Sequence, residues 1–189
     1  MSSEKVKPYE SKMVKTLDVL KEDYASIRAG RANPHLLDKI RVDYYGQPSS
    51  LQQVANVSVP EARVITIQPW ESKMIKVIEK AILASDLGIT PGNDGKIIRL
   101  VFPELTEDRR KDLVKDIRKK AEAAKVAVRN VRREGNDTFK KLGKSSEISE
   151  DEQKQLEDEL QKITDKYIAE IDKVTEAKSK EILDRKSVV

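Results

Sequence analysis

Between Lys111 and Lys140 the chain carries eight basic residues at spacings that a helix would gather into one stripe. With Val128 as origin and about 100° per residue, Lys111, Lys115, Arg118, Lys125, Arg129, Arg132, Arg133 and Lys140 fall in an arc from about +40° to about +140°. Glu122 alone interrupts it. Val114, Ile117, Ala121, Ala124, Val131, Gly135 and Leu142 lie within about 60° of Val128, so an apolar stripe runs beside the basic one. One face packs and its neighbour presents fixed positive charge. Arginine at the centre suits phosphate, because a planar guanidinium binds it bidentately and is weakly hydrated. Such a stripe can also be plain solvated surface, and the helical wheel does not choose between the two.

Other chemistry fails on residue types. His35 is the only histidine and there is no cysteine, which removes most nucleophilic triads and zinc sites. Gly92-Asn-Asp-Gly95-Lys96 has the wrong glycine spacing for a phosphate loop, and Ile97 stands where that loop needs Ser or Thr. It reads as a hairpin turn before a strand. Acidic residues sit on helices rich in Lys and Arg, as solvated ion pairs do. Trp70, after Pro69, is expected to pack at the start of a helix. Neither a catalytic residue nor a cofactor or metal site is expected.

Three helices must position the basic stripe. Val6, Tyr9, Met13, Leu17, Leu20, Tyr24 and Ile27 recur every three or four residues and form the seam of the first. The second opens after Pro103 with Thr106 as N-cap and Glu107 and Asp108 in its first turn, and Gly143 is its expected stop. At about 1.5 Å per residue it would be roughly 55 Å long. Ser149-Glu-Asp-Glu152 reads as a capping box opening the third, with Ile148 as staple and Leu156, Leu160, Ile163, Tyr167, Ile171 and Val174 as seam. Three such stripes can face one another in an antiparallel or mixed three-helix bundle.

Residues between the first two helices lose helical periodicity. Strands are expected at Ile40–Tyr45, Val54–Val59, Arg63–Gln68 and Lys96–Phe102, with a turn at Pro60-Glu61 and a helix over Glu71–Ser85. A small sheet carrying one helix is thus inserted into the bundle. Two crossings join the parts, near Ala29-Gly30-Arg31 and Pro103-Glu104-Leu105, and glycine and proline there suit a hinge. Rigid coupling is the alternative.

Composition agrees. Charged residues make up 37% of the 189 and aromatics 4%, a balance that favours long amphipathic helices over a thick core. Net charge is only +4, but it is segregated. Thr106–Lys144 holds 14 basic and 7 acidic residues, whereas Ser145–Val189 holds 8 and 13. Without cysteine, an apolar leader or a run of about 18 apolar residues, a soluble cytoplasmic protein is expected.

Six separated motifs together carry a family resemblance. They are Ile27-Arg-Ala-Gly-Arg-Ala-Asn-Pro34, Tyr44-Tyr-Gly-Gln-Pro48, Ala84-Ser-Asp-Leu-Gly88, Leu105-Thr-Glu-Asp-Arg-Arg-Lys-Asp-Leu113, Val126-Ala-Val-Arg-Asn-Val-Arg-Arg133 and Ile148-Ser-Glu-Asp-Glu152. In that order they resemble the bacterial ribosome recycling factors along nearly the whole chain. Two departures stand out: Ser49-Ser50 where the family usually has Thr-Pro, and a glycine at 135 inside the long helix.

The resemblance implies an α+β, L-shaped pair: an elongated three-helix bundle from residues 1–30 and 105–189, and a small β/α/β domain from residues 31–104. The hinge would comprise Arg28, Ala29, Gly30, Arg31, Pro103, Glu104 and Leu105, with Arg28 and Arg31 either bracing it or touching RNA. It further implies binding to the 70S ribosome at the subunit interface through large-subunit rRNA. Elongation factor G with GTP would then act against the inserted domain and split the subunits. The phosphate clamps carried over are Arg129, Arg132 and Arg133, flanked by Lys125, Arg118 and Arg110. A monomer is expected, with no membrane and no small-molecule substrate. The rival classes are a general RNA-binding protein and a self-associating coiled-coil protein.

Overall fold

The computed structural model describes residues 3–29 and 31–184. Its contacts divide the chain into two units, Met1–Tyr24 with Asp112–Lys180, and Ala25–Lys111 with Glu181–Val189. These bounds fall inside the three long helices, whereas the expected ones fell at 30/31 and 104/105.

In the first unit, α1 (Lys7–Ala25), α4 (Glu107–Lys144) and α5 (Glu150–Leu183) pack by their apolar stripes. Met13, Leu17 and Leu20 of α1, Ile117, Ala121, Val128 and Phe139 of α4, and Leu156, Leu160 and Ile171 of α5 are all buried. Side-chain contacts fix the directions. Lys12 pairs with Glu134 and Asp23 with Lys120, so α1 and α4 run antiparallel. Lys5 pairs with Glu152, and Tyr24 meets Thr175, so α1 and α5 run parallel. The bundle is of the mixed kind. Tyr24 stitches all three helices: its hydroxyl lies 2.8 Å from Ile117 O, to which it donates, and 2.9 Å from Thr175 Oγ1. Burial pushes that phenol's pKa up.

The caps follow the sequence with two corrections. Thr106 Oγ1 accepts from Arg109 N at 3.2 Å, as an N-cap should. Ser149 Oγ likewise accepts from Glu152 N, but the Glu152 carboxylate leaves the box for Lys5, 2.6 Å away. Gly143 does not stop α4. The helix runs through it and ends on Ser146, at φ 58°, with Glu147 N donating to Leu142 O and Ser146 N to Gly143 O, a Schellman closure without its usual glycine.

Gly135, the departure inside α4, has a packing cause. It is buried, and a Cβ there would collide with Leu160 Cδ2 of α5 and press on Tyr9 Cγ at 3.3 Å. Glycine lets the helices approach closely at this level.

The second unit holds a four-stranded antiparallel sheet, in the order β3 (Ala55–Glu61), β4 (Val64–Pro69), β6 (Ile98–Val101), β5 (Gly92–Asn93). Ile65 pairs with Leu100 and Ile67 with Ile98, putting four fully buried side chains on one face. Helix α3 (Met74–Leu83) contributes Ile75, Ile78 and Ile82 to the same core. The expected Pro60-Glu61 turn lies inside β3, because the register slips between Ser58 and Glu61 instead. Proline has no N–H for the ladder, and a one-residue bulge absorbs it. Gly92–Lys96 forms a hairpin in which Asp94 Oδ1 accepts from Lys96 N and Ile97 N at 3.0 and 2.8 Å.

Strands β1 (Arg41–Tyr44) and β2 (Gln47–Ser50) form a separate hairpin. Tyr45 and Gly46, both at positive φ, make its two-residue turn. Ser49 and Ser50 are therefore paired strand residues rather than a loop tip. Ser50 also caps the single-turn α2 (Leu51–Val54), its N–H donating to Gln53 Oε1 at 2.9 Å, a bond that a proline at 50 would delete. No helix among the described residues is long and apolar enough to cross a membrane.

Candidate nucleic-acid interface

Each residue of the basic arc meets a fate set by its angle on α4. The inner edge, nearest the apolar stripe, touches α5. Lys125, at about +60°, pairs with Asp172 at 2.5 Å and Glu122 at 3.4 Å. The hydrogen bond to Asp172 raises its pKa and so holds the ammonium protonated, while the carboxylate offsets its charge. Arg132, at about +40°, donates to Gln161 Oε1 at 3.2 Å, and that neutral amide orients the guanidinium without cancelling it. Further out, Arg118, Arg129 and Arg133 have no ion pair among the described residues. Arg118 and Arg133 are exposed and Arg129 half-buried. From Arg118 to Arg133 this row spans roughly 22 Å of helix.

Arg110 does not belong to the row. It is 8% exposed, and its Nη1 donates to Ile182 O at 2.6 Å and to Asp184 O at 3.3 Å. These are carbonyls at the C-terminal end of α5, where a helix has unmatched acceptors and a cation is favoured. The sequence carried a signal for this: Arg110 lies 18 residues, or about five full turns, before Val128. It therefore stands on the packing face.

The crossing residues are held inside the second unit. Arg28 Nη2 donates to Pro103 O, and its guanidinium sits 5.4 Å from the Phe102 ring centroid. Burial lowers its pKa, with Arg63 and Arg110 adding repulsion. Arg63 pairs with Glu104 at 3.2 Å, and Arg110 Nε reaches Leu105 O at 3.5 Å. Ala29 is buried and Arg31 exposed. Gly30 lies outside the described residues. Arg28 thus contacts the second crossing at Pro103 and Phe102.

His35 forms only a local 2.9 Å contact with Asp38, and no cluster of His, Cys, Asp or Glu among the described residues could hold a metal.

A row of uncompensated arginines on one helix is what a phosphate-binding face requires, and known proteins identify the scaffold that bears it. The ribosome recycling factor family model matches residues 20–183. The chain belongs to the ribosome recycling factor family. The ribosome-recycling factor of Lachnoclostridium phytofermentans is 77% identical, the match covering 96% of this chain and 98% of the relative. That of Agathobacter rectalis is 66% identical, covering 95% and 97%. A solution structure of a ribosome recycling factor shares 42% identity with a TM-score of 0.79, covering 97% of this chain and 99% of the other. The T. thermophilus factor, described with E. coli elongation factor G on the E. coli post-termination complex, shares 47% identity with a TM-score of 0.64, covering 97% and 100%. The α+β fold is that of the family, and the chain is a translation factor for ribosome recycling, not an enzyme.

Proposed function

We propose that this chain binds the post-termination 70S ribosome at the subunit interface through RNA of the large subunit and, with elongation factor G and GTP, separates the subunits and frees the messenger RNA. The observation that carries the RNA part is the row Arg118, Arg129, Arg132 and Arg133, which keeps its charge while the adjoining stripe is buried. Arg129, Arg132 and Arg133 are the principal clamps, reading backbone and shape rather than base sequence. Lys125 supports the row from its pair with Asp172, and Arg110 acts by holding the end of α5. The relative described on a post-termination complex with elongation factor G supplies the protein partner. That partner is the GTPase, so this chain contributes recognition and needs no cofactor. It works as a monomer in the cytoplasm.

The hinge reading places bending at residues 28–31 and 103–105. Its support is that, among the described residues 28, 29, 31 and 103–105, none lies in a helix or named strand.

The deciding experiment is light scattering of post-termination ribosomes mixed with this chain, elongation factor G and GTP, with an initiation factor present to stop subunits rejoining. A fall that requires both proteins and GTP is expected. Tight binding without splitting, using a matched elongation factor, would reduce the protein to an RNA binder. Arg132→Ala should weaken ribosome binding and flatten the dependence of log affinity on log salt by about one unit, with helicity unchanged. Unaltered affinity would remove Arg132 from the interface. Size-exclusion with light scattering tests the monomer.

A further inference from the structure

Gln161, the neutral partner of Arg132, is itself held. Its Nε2 donates to Asp165 Oδ1 at 2.8 Å, while its Oε1 accepts from Arg132 Nη1 at 3.2 Å. The two α5 residues stand one turn apart on an exposed face, the spacing at which a glutamine and a carboxylate bond side by side. Among the described residues neither Asp165 nor Arg132 has an ion pair, so the three side chains form a chain of two hydrogen bonds.

The direction of the amide follows from its neighbours. A carboxylate accepts and cannot donate, so Asp165 takes the NH2 end. A guanidinium donates and cannot accept, so Arg132 takes the carbonyl end. Reversing the amide would set donor against donor at Arg132 and acceptor against acceptor at Asp165. Asp165 therefore fixes which end of Gln161 the arginine meets, and its charge polarises the amide and strengthens the oxygen as an acceptor.

This arrangement separates aim from charge. A carboxylate directly on Arg132 would compete with phosphate for the same donors, as Asp172 does 2.5 Å from Lys125. With the amide between them, the negative charge stands one side chain back, and the rest of the planar fork is left for an anion. A long side chain ordered before binding loses less freedom when the phosphate arrives. We propose that Asp165 is a positioning residue for RNA binding, holding the Arg132 guanidinium ready for a backbone phosphate through Gln161. This rests on the RNA-clamp reading of Arg132 given above.

Charge alone predicts the opposite sign. Deleting an acidic charge near a phosphate-binding row should strengthen binding to RNA, whereas deleting a positioning group should weaken it. The experiment measures the affinity of the full chain for 70S ribosomes across a range of salt. Asp165→Asn should lower affinity about three- to tenfold, the cost of ordering one long side chain, because asparagine offers a donor as readily as an acceptor. Asp165→Glu keeps a carboxylate one turn away and should restore most of the loss. In an Arg132→Ala background Asp165→Asn should cause no loss, which separates positioning from a folding defect. Gln161→Glu places the carboxylate on the guanidinium and should flatten log affinity against log salt by about one unit. Equal or tighter binding by Asp165→Asn would overturn the proposal. So would a loss shared by Asp165→Glu, a loss persisting in the Arg132→Ala background, or an unaltered salt slope in Gln161→Glu. If Arg132→Ala alone leaves affinity unaltered, the clamp reading falls and the relay with it. An Arg132→Ala loss with no loss from Asp165→Asn removes the relay alone.

Discussion

Gly135→Ala sets two effects of known size against each other. Alanine favours the interior of α4 by up to about 1 kcal/mol over glycine. The new methyl would occupy space already held by Leu160 Cδ2, and Tyr9 Cγ and Cδ2 stand 3.3 and 3.4 Å away on its other flank. Neither neighbour yields easily: Leu160 is fully buried, and Tyr9 packs edge-on against buried Phe139 with ring centroids 5.8 Å apart. Forcing a methyl into a packed site costs about 1–3 kcal/mol. The balance is a net loss of about 1 kcal/mol, or about 2–4 °C in melting temperature for a chain of this size. Gly143→Ala is the comparison, because there the methyl meets the end of the Gln153 side chain, a partly exposed polar group able to swing aside. Its net effect should be a gain of a few tenths of a kcal/mol at most, about what propensity gives in a last turn. Far-UV circular dichroism of both variants through thermal and urea unfolding separates the cases. If Gly135→Ala stabilises the protein as much as Gly143→Ala, the close approach of α4 to α5 is not what glycine serves there.

Ser146→Gly should raise stability by up to about 1 kcal/mol, since glycine takes positive φ without the Cβ penalty, and a lowered urea midpoint would contradict the Schellman closure. Arg110→Ala should cost about 2 kcal/mol by stripping a charged donor from the α5 carbonyls, with ribosome affinity per folded molecule little changed. An unshifted midpoint with lost affinity would return Arg110 to the RNA-binding row. Lys73, Tyr44 and Tyr45 hold the Glu71 carboxyl at about 2, below its ordinary 4.5. The unfolded chain therefore takes up that proton first as pH falls. The stabilisation is complete above about pH 4.5 and is lost on descending towards about 2. Glu71→Gln should flatten that part of the stability profile, and urea midpoints at pH 6, 4 and 3 that run parallel for both proteins would refute the clamp.

Helical periodicity made the first unit legible because each long helix buries a single stripe, and Met13, Leu17, Ile117, Val128, Leu160 and Ile171 all fall on the buried faces their spacing gives. The sheet strands were legible only where apolar and polar residues alternate along them. Gly92–Asn93 is too short to show alternation, and Gln47–Ser50 carries none, so β5 and β2 arise from pairing that no local pattern announces. Trp70 was misjudged for a related reason. A large ring after a buried proline ordinarily turns inward, but three side chains on Glu71, all distant in sequence or brought round by the turn, fix the chain so that it faces water.

Within the basic arc, the wheel carried more than residue type. Residue type alone offered five arginines and one lysine; angle divides them. At about 0° Arg110 belongs to the core side, at about +40° to +60° Arg132 and Lys125 meet α5, and from about +80° outward Arg118, Arg129 and Arg133 have no ion pair among the described residues. What one helix's wheel could not supply is the partner's chemistry. Across from Lys125 stands Asp172, which cancels the charge, whereas across from Arg132 stands Gln161, which aims the guanidinium and leaves its charge intact. Two residues about 20° apart on one face thus reach opposite ends of the scale of availability to phosphate. The acidic bias of α5 is therefore no neutral background to the arginine row: its placement, residue by residue, decides which cations of α4 are offset by a carboxylate and which are not.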